Sequence, residues 1–345
     1  MCRVPLSSFA GTAVLTLFAA ASASAQSFEA SWAEPAADRW NYGFNTTPGT
    51  RNVGSVFGYT GDLYEFDERD GQVMVQFDTS DLITPGLGPD RYQIESVEVT
   101  VMLADPLSGG YDPTRDEWNT HLAPDDPDFE PDADPGRPIE LFATGFRNGV
   151  EADTWTETTD FSLVGPFGKE VRSAYAAEID RKGSLVDVSN SISDRRTPTS
   201  LAVGIVEGAS GGSKLAEGTV IRFTFDGSDP ATARWVAERL DAGRIHFSLS
   251  SLIEAQQEGG DFVDLYLREN PLVTVGVRSA ATLAISGNIQ DACNGPGDLD
   301  HDCVVGGGDV GIFLSLWGTD DPEADLDGSG IVDGGDFGAL LALFD

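Results

Sequence analysis

Twelve residues near the end of the chain, Asp298 to Asp309 (DLDHDCVVGGGD), recur 27 positions later as Asp325 to Asp336 (DLDGSGIVDGGD). Each run has carboxylates at its positions 1, 3 and 12: Asp298, Asp300 and Asp309 in the first, Asp325, Asp327 and Asp336 in the second. Position 5 adds Asp302 or Ser329, and position 9 of the second run adds Asp333. Val304 or Ile331 at position 7 has only a main-chain carbonyl to give. Oxygen donors spaced to wrap around one point suit a hard cation that takes about six to eight of them, which is Ca²⁺. Mg²⁺ fits less well, because it keeps its waters and rarely uses an all-protein cage. Two such runs imply two calcium ions.

The segments that follow must position the last carboxylate of each run. DVGIFLSLW and DFGALLALF align residue for residue, matching Val310 with Phe337, Phe313 with Leu340, Leu314 with Leu341 and Trp317 with Phe344. That i, i+3, i+4, i+7 spacing predicts a short amphipathic helix after each loop. Asp309 and Asp336 open the helices, where a carboxylate also complements the positive end of the helix dipole. Neither unit is large enough to bury its own apolar stripe. The two are expected to pack face to face, with Val305 and Val332 pairing the loops.

A duplicated DxDx[DS] loop ending in Asp, each copy followed by one helix, resembles the type I dockerin module of extracellular polysaccharide-degrading systems. The resemblance runs from about Gly297 to Asp345. It implies a small helical module with EF-hand-type calcium loops, placed at 291–345, and a cohesin-like or cell-envelope protein as its partner. Three positions depart from the pattern. Cys303 stands where the first loop would have Gly, as the second does at Gly330. Gly306 gives position 9 of the first loop no side-chain donor, so a water would complete that shell. Gly307–Gly308 and Gly334–Gly335 occupy the positions at which dockerins usually carry the residues that choose a cohesin. The ion sites are thus implied more directly than the partner.

Met1 to Ala25 reads as a secretory signal: Arg3, an apolar run from Ala10 to Ala21, then Ala23-Ser24-Ala25. The apolar run is too short to span a bilayer, and no later stretch is longer, so no membrane span is expected. The protein is expected to be secreted, extracellular or associated with the cell surface. Cys2 leaves with the signal, and Cys293 and Cys303, ten residues apart, are expected to pair in an oxidising compartment. A net charge of −36 argues against nucleic acid and anionic lipid as partners.

Residues 26–290 read as β throughout. Strands are predicted at Gln72–Asp78, Ile94–Leu103, Ile139–Phe146, Leu201–Val206, Thr219–Phe225, Arg244–Leu249, Phe262–Leu267, Leu272–Val277 and Thr282–Ile285, punctuated by Gly, Pro, Asp and Asn. Many short alternating strands without interleaved helices predict a mainly β fold, a jelly-roll-like two-sheet β-sandwich. One helix is predicted, capped by Asp229-Pro230 and stopped by Gly243. Asp112 to Gly136 has nine acidic residues, five prolines and one arginine, which predicts an extended, solvated loop. A calcium site there has no ligand periodicity to support it.

No catalytic constellation stands out. The chain has three histidines, His121, His246 and His301, with no GxSxG or HExxH run. His246 is expected on the polar face of its strand. A glycosidase needs only two facing carboxylates. Glu157, Glu254 and Asp264 lie near strands, but each reads more simply as a turn or surface group.

NYGFNTTPGTRNVG from Asn41, then GQVMVQFDTSDLI from Gly71 and YQIESVEVTVML from Tyr92, resemble the opening of a DNRLRE-type β-sandwich, an exported module linked to polysaccharide binding. Gln76 stands where that family has arginine. The resemblance implies a polysaccharide ligand, for which exposed aromatics would stack on the sugar face. Trp118 and Trp155 are the candidate contacts, with Tyr42, Tyr111 and Tyr266 in the same pool.

Together these features describe a secreted, non-catalytic β-sandwich protein that binds glycan or sits at the envelope and carries a calcium-dependent docking module. One rival is an extracellular polysaccharide-degrading enzyme, a glycoside hydrolase or lyase, bearing a dockerin. The other is a structural envelope protein whose tail calcium stiffens.

Overall fold

The computed structural model describes residues 26–58, 66–108, 110–254, 262–290, 295–301 and 304–344. The signal segment, Cys293, Cys303 and Asp302 lie outside the described residues. The strands are β1 (Gln26–Trp32), β2 (Ala37–Asn41), β3 (Val53–Val56), β4 (Gln72–Asp78), β5 (Tyr92–Met102), β6 (Tyr111–Asp112), β7 (Arg137–Phe146), β8 (Ala174–Ile179), β9 (Leu185–Asp187), β10 (Ala202–Val203), β11 (Val220–Phe225), β12 (Arg244–Ser251), β13 (Val263–Tyr266) and β14 (Thr282–Ile289). The helices are α1 (Pro230–Asp241), α2 (Pro271–Thr274), α3 (Gly307–Ser315) and α4 (Gly334–Ala342).

The fold is mainly β, with antiparallel sheets. One runs β1-β14-β5-β11 and the other β2-β4-β12-β7-β8-β9, while β3 and β13 form a small third pair. On β5 the alternation is kept: Val97, Val99 and Val101 point inward and are buried. They share one apolar cluster with Leu283 and Ile285 of β14 and with Val73, Val75 and Phe77 of β4 and Phe247 and Leu249 of β12. The two larger sheets therefore face each other across a single core.

The larger sheet is buried on its other face as well. Met74 of β4 lies against Trp155 and Ala174, and Phe142 of β7 against Ala176 and Val188. This corrects the expectation for His246. Its strand has no solvated side, because Trp155 and Phe146 close over the ring at 5.6 and 5.2 Å between centroids. His246 bonds Gln76 across the sheet at 3.1 Å, and burial pushes its pKa down to about 3, so the ring is neutral.

Helix α1 begins as its sequence predicts. The Asp229 carboxylate accepts the Thr232 N–H at 2.8 Å, Pro230 fills the first turn, and Trp235, Val236 and Leu240 are buried. Gly243 leaves the helix with φ +76°. Asp229→Ala is expected to lower stability by about 1 kcal/mol, read from the urea midpoint at unchanged slope.

Other expectations are corrected. Leu272–Val277 is not a strand: Asn270 caps the short α2 by accepting the Leu272 N–H at 2.9 Å, and Leu272, Val275 and Val277 are exposed. Asn270-Pro271 is a cap-and-first-turn pair like Asp229-Pro230, and it outweighs the β-branched residues. Leu201–Val206 shortens to β10. Residues 112–136 are not a uniformly solvated loop: Asp112 pairs with β7 as part of β6 and is buried, and Trp118–His121 forms a 3₁₀ turn.

Candidate metal centres

In the second C-terminal loop, Asp325, Asp327 and Asp336 each bring a carboxylate oxygen within 4.8 Å of the others. Asp298, Asp300 and Asp309 do the same in the first. Positions 1, 3 and 12 therefore converge twice. The backbone makes this possible by leaving the ordinary helical and extended regions. Gly328 and Gly330 have φ of +73° and +89°, and in the first loop His301 takes φ +59°, a conformation that costs a side chain strain.

The last carboxylate of each loop is held by main-chain donors. Asp309 Oδ1 accepts the N–H groups of Leu299 (2.6 Å) and Asp300 (3.1 Å), and Oδ2 accepts that of Gly306 (2.6 Å). Asp336 likewise accepts from Asp327 (2.9 Å) and Asp333 (2.8 Å). Burial raises the Asp309 carboxyl, but these donors outweigh it and hold the group below the usual carboxylate range. At Asp336 the Asp333 and Asp327 N–H groups lead, and the shift has the same direction. Both groups are thus ionised at neutral pH.

The glycines at position 11 now have a physical reason. A Cβ at Gly308 would overlap the Asp300 carboxylate, and one at Gly335 the Asp327 carboxylate. The position-3 side chain fills the space that a side chain at position 11 would need. Gly335→Ala is therefore expected to displace Asp327 and weaken Ca²⁺ binding about tenfold, by titration calorimetry, a loss typical of disturbing a ligand's support.

Asp333 stands slightly apart from this set. Its side chain accepts the Gly335 N–H at 2.7 Å and caps α4, so it is a helix cap next to the three converging carboxylates. The Ile331 carbonyl accepts the Ser329 hydroxyl at 3.1 Å. Val332 is buried, yet it does not exchange main-chain bonds with Val305. Its N–H donates to Thr319 O at 2.8 Å, and its carbonyl accepts from Gly318 at 2.8 Å. Val332 belongs to a small core with Leu299, Phe313, Ala324 and Leu340, and Val305 is half-buried against that core.

Only part of each helical stripe enters that core. Phe313 and Leu340 are wholly buried, while Leu314, Trp317, Leu341 and Phe344 are exposed. Trp317 leans edge-on against Phe313 at 5.9 Å and keeps its outer face free.

Neither glycan candidate presents an open ring. Trp155 is 2% exposed and belongs to the packing under β4, which removes it as a sugar contact. Trp118 is half-buried, with the Arg195 guanidinium 5.5 Å from its ring. Among the described residues, the exposed rings of the sandwich are instead Phe44 and Phe167, which meet at 5.6 Å; Phe44 also lies tilted against Tyr42 at 5.5 Å. Phe44 and Phe167 are far apart in sequence, so no local pattern could have paired them.

The sandwich also gathers acidic groups that spacing did not reveal. Asp38, Glu157 and Glu269 converge, with Arg268 Nε at 3.1 Å from Glu157 and 2.9 Å from Glu269. Burial raises the Asp38 carboxyl strongly, and Glu269 and Glu157 add to the effect. Asp38 is 1% exposed, so no substrate reaches it. Asp264 is half-buried and accepts the Ser55 hydroxyl. A further cluster joins Asp112, Asp116 and Asp132.

No known family model matches the chain, and no curated protein matches it. No described helix is long and apolar enough to cross a membrane.

Proposed function

We propose that the chain is an exported, non-catalytic protein in which a jelly-roll-like β-sandwich is attached to its surroundings by a C-terminal, calcium-dependent, dockerin-like module. The observation that carries this reading is the double convergence of positions 1, 3 and 12, with the position-12 carboxylate built into the start of each helix. The donor set is all oxygen and acidic, as Ca²⁺ prefers. Asp298, Asp300 and Asp309 would hold one ion with Asp302 and the Val304 carbonyl. Asp325, Asp327 and Asp336 would hold the other with Ser329 and the Ile331 carbonyl.

Bound calcium supplies the positive charge that three or more adjacent carboxylates otherwise lack. Helices as short as α3 and α4 are not stable alone in water, so ion binding is expected to be coupled to folding of the repeat. The face that folding sets in place carries Leu314, Trp317, Leu341 and Phe344. Exposed apolar groups of this size on a small module suit a protein partner, here a cohesin-like or cell-envelope protein.

Pull-down from the producing organism's secreted and envelope fractions, with and without EGTA, tests the reading. A partner retained only in calcium, and lost with Trp317→Ala, is the expected result. Retention of no calcium-dependent partner would leave calcium a stiffening role alone. The sandwich would be the cargo, with a polysaccharide as its ligand. Exposed Phe44 and Phe167 carry that part: Phe44→Ala with Phe167→Ala is expected to weaken retention on insoluble polysaccharide about tenfold, on the scale of one to two lost aromatic contacts.

A further inference from the structure

We propose that residues 112–136 hold a third calcium ion, separate from the C-terminal repeat, between Asp112, Asp116 and Asp132. One carboxylate oxygen from each lies within 4.8 Å of the others. Convergence of acids is common on surfaces, but two of these three carboxylates are withdrawn from it. Asp112 has no exposure, and the Asp116 side chain keeps only 2%.

The hydrogen bonds leave specific atoms over. Asp112 Oδ1 accepts the Thr114 N–H at 2.7 Å and the Thr114 hydroxyl at 2.8 Å. Asp116 Oδ2 and Asp132 Oδ2 share Arg137 Nη1 at 2.8 Å each. The partner oxygens Asp112 Oδ2 and Asp116 Oδ1 are buried with no donor among the described residues. A third buried oxygen, Asn119 Oδ1 on the intervening 3₁₀ turn, is also without one. Ionised, Asp112 and Asp116 offer these oxygens as acceptors only. Burying acceptors without donors is costly, so such groups call for a ligand that accepts electron pairs.

Charge gives the same answer. Three carboxylates face one guanidinium, a formal excess of two negative charges. His121 Nε2 sits 3.7 Å from Asp116 and, counted neutral, leaves that excess unchanged. A divalent cation restores the balance, and an all-oxygen set of carboxylates selects Ca²⁺ over softer metals. It would pin the start of β7, where Arg137 leads into the larger sheet, to the loop that crosses it.

Arg115 lies inside this loop, so tryptic cleavage after it reports local opening. In the full chain carrying Asp298→Asn and Asp325→Asn, about 1 mM Ca²⁺ is expected to slow that cleavage about tenfold relative to EGTA, and calorimetry to find one remaining ion. Adding Asp112→Asn, or the more exposed Asp132→Asn should the first fail to fold, is expected to abolish both effects. Equal cleavage rates in calcium and EGTA, with no ion bound, overturn the proposal. Protection by Mg²⁺ as strong as by Ca²⁺ overturns the choice of metal. Because the C-terminal loops are disabled in this background, the result is independent of whether they bind calcium.

Discussion

Asp309→Ala is expected to abolish ion binding in the first C-terminal loop and to leave α3 unfolded even in millimolar calcium. The size of the effect follows from one carboxylate serving two ends. It is a converging ligand atom of the loop, and it also takes the N–H groups of Leu299, Asp300 and Gly306 at 3.1 Å or less. Alanine leaves those donors without an acceptor beside a residue that is 1% exposed, at about 1–3 kcal/mol for each one that stays buried. A helix spanning Gly307–Ser315 has no reserve to absorb that loss. Asp309→Asn separates the two roles: the amide oxygen can still accept, while the charge that draws the cation is gone. It should therefore lose the ion yet retain more helix than alanine. Far-UV circular dichroism and calcium titration of the full chain give the two readouts. An Asp309→Ala protein that binds as many ions as the parent, with undiminished helix, sinks the account. So does a parent spectrum indifferent to EGTA.

The loops were legible because their chemistry is local. Twelve consecutive residues carry the ligand spacing, and the helix stripe follows directly. Sequence could not show that position 11 must be glycine to make room for Asp300 and Asp327, since that depends on how the chain folds back. The strands were legible where alternation met solvent, as on β5. They were hidden where residues are small and polar, as in β8 (AYAAEI) and β1 (QSFEASW), while around His246 the strand itself was legible and only its covered second face was not. Trp155 misled for the same reason: a tryptophan in a polar run can be the lid of a second core. The cluster at Asp38 joins residues up to 231 positions apart (269 − 38) and had no local trace, whereas the one at Asp112 lies within a single acidic run whose spacing shows no ligand periodicity.

Such a long-range assembly also carries the other large effect. Arg172 is fully buried and donates through Nε to Asp67 Oδ2 at 2.7 Å and through Nη2 to the Asp70 carbonyl at 3.1 Å. Burial alone would raise Asp67, but Arg172, the Glu170 N–H and Asn190 together hold it below its ordinary 3.8. Its contribution to stability is therefore present above that value and fades as pH falls below it. Asp70 runs the other way. Burial lifts it to about 6 against the pull of Arg172, so its contribution is full below 3.8 and lost as pH rises through about 6.

Arg172→Met is accordingly expected to cost about 3–5 kcal/mol at neutral pH, because it leaves the Asp67 charge buried and unpaired. The penalty should shrink as the medium is acidified from pH 7 toward 5. Without the guanidinium, burial governs Asp67, and the group can take up a proton in that range, whereas in the parent it stays ionised. Arg172→Met combined with Asp67→Asn should recover a large part of the loss, since no uncompensated charge remains. Urea midpoints at the two pH values measure all three proteins. A cost equal at pH 7 and pH 5, unrelieved in the double variant, would mean that Arg172 matters for its volume and not for its charge.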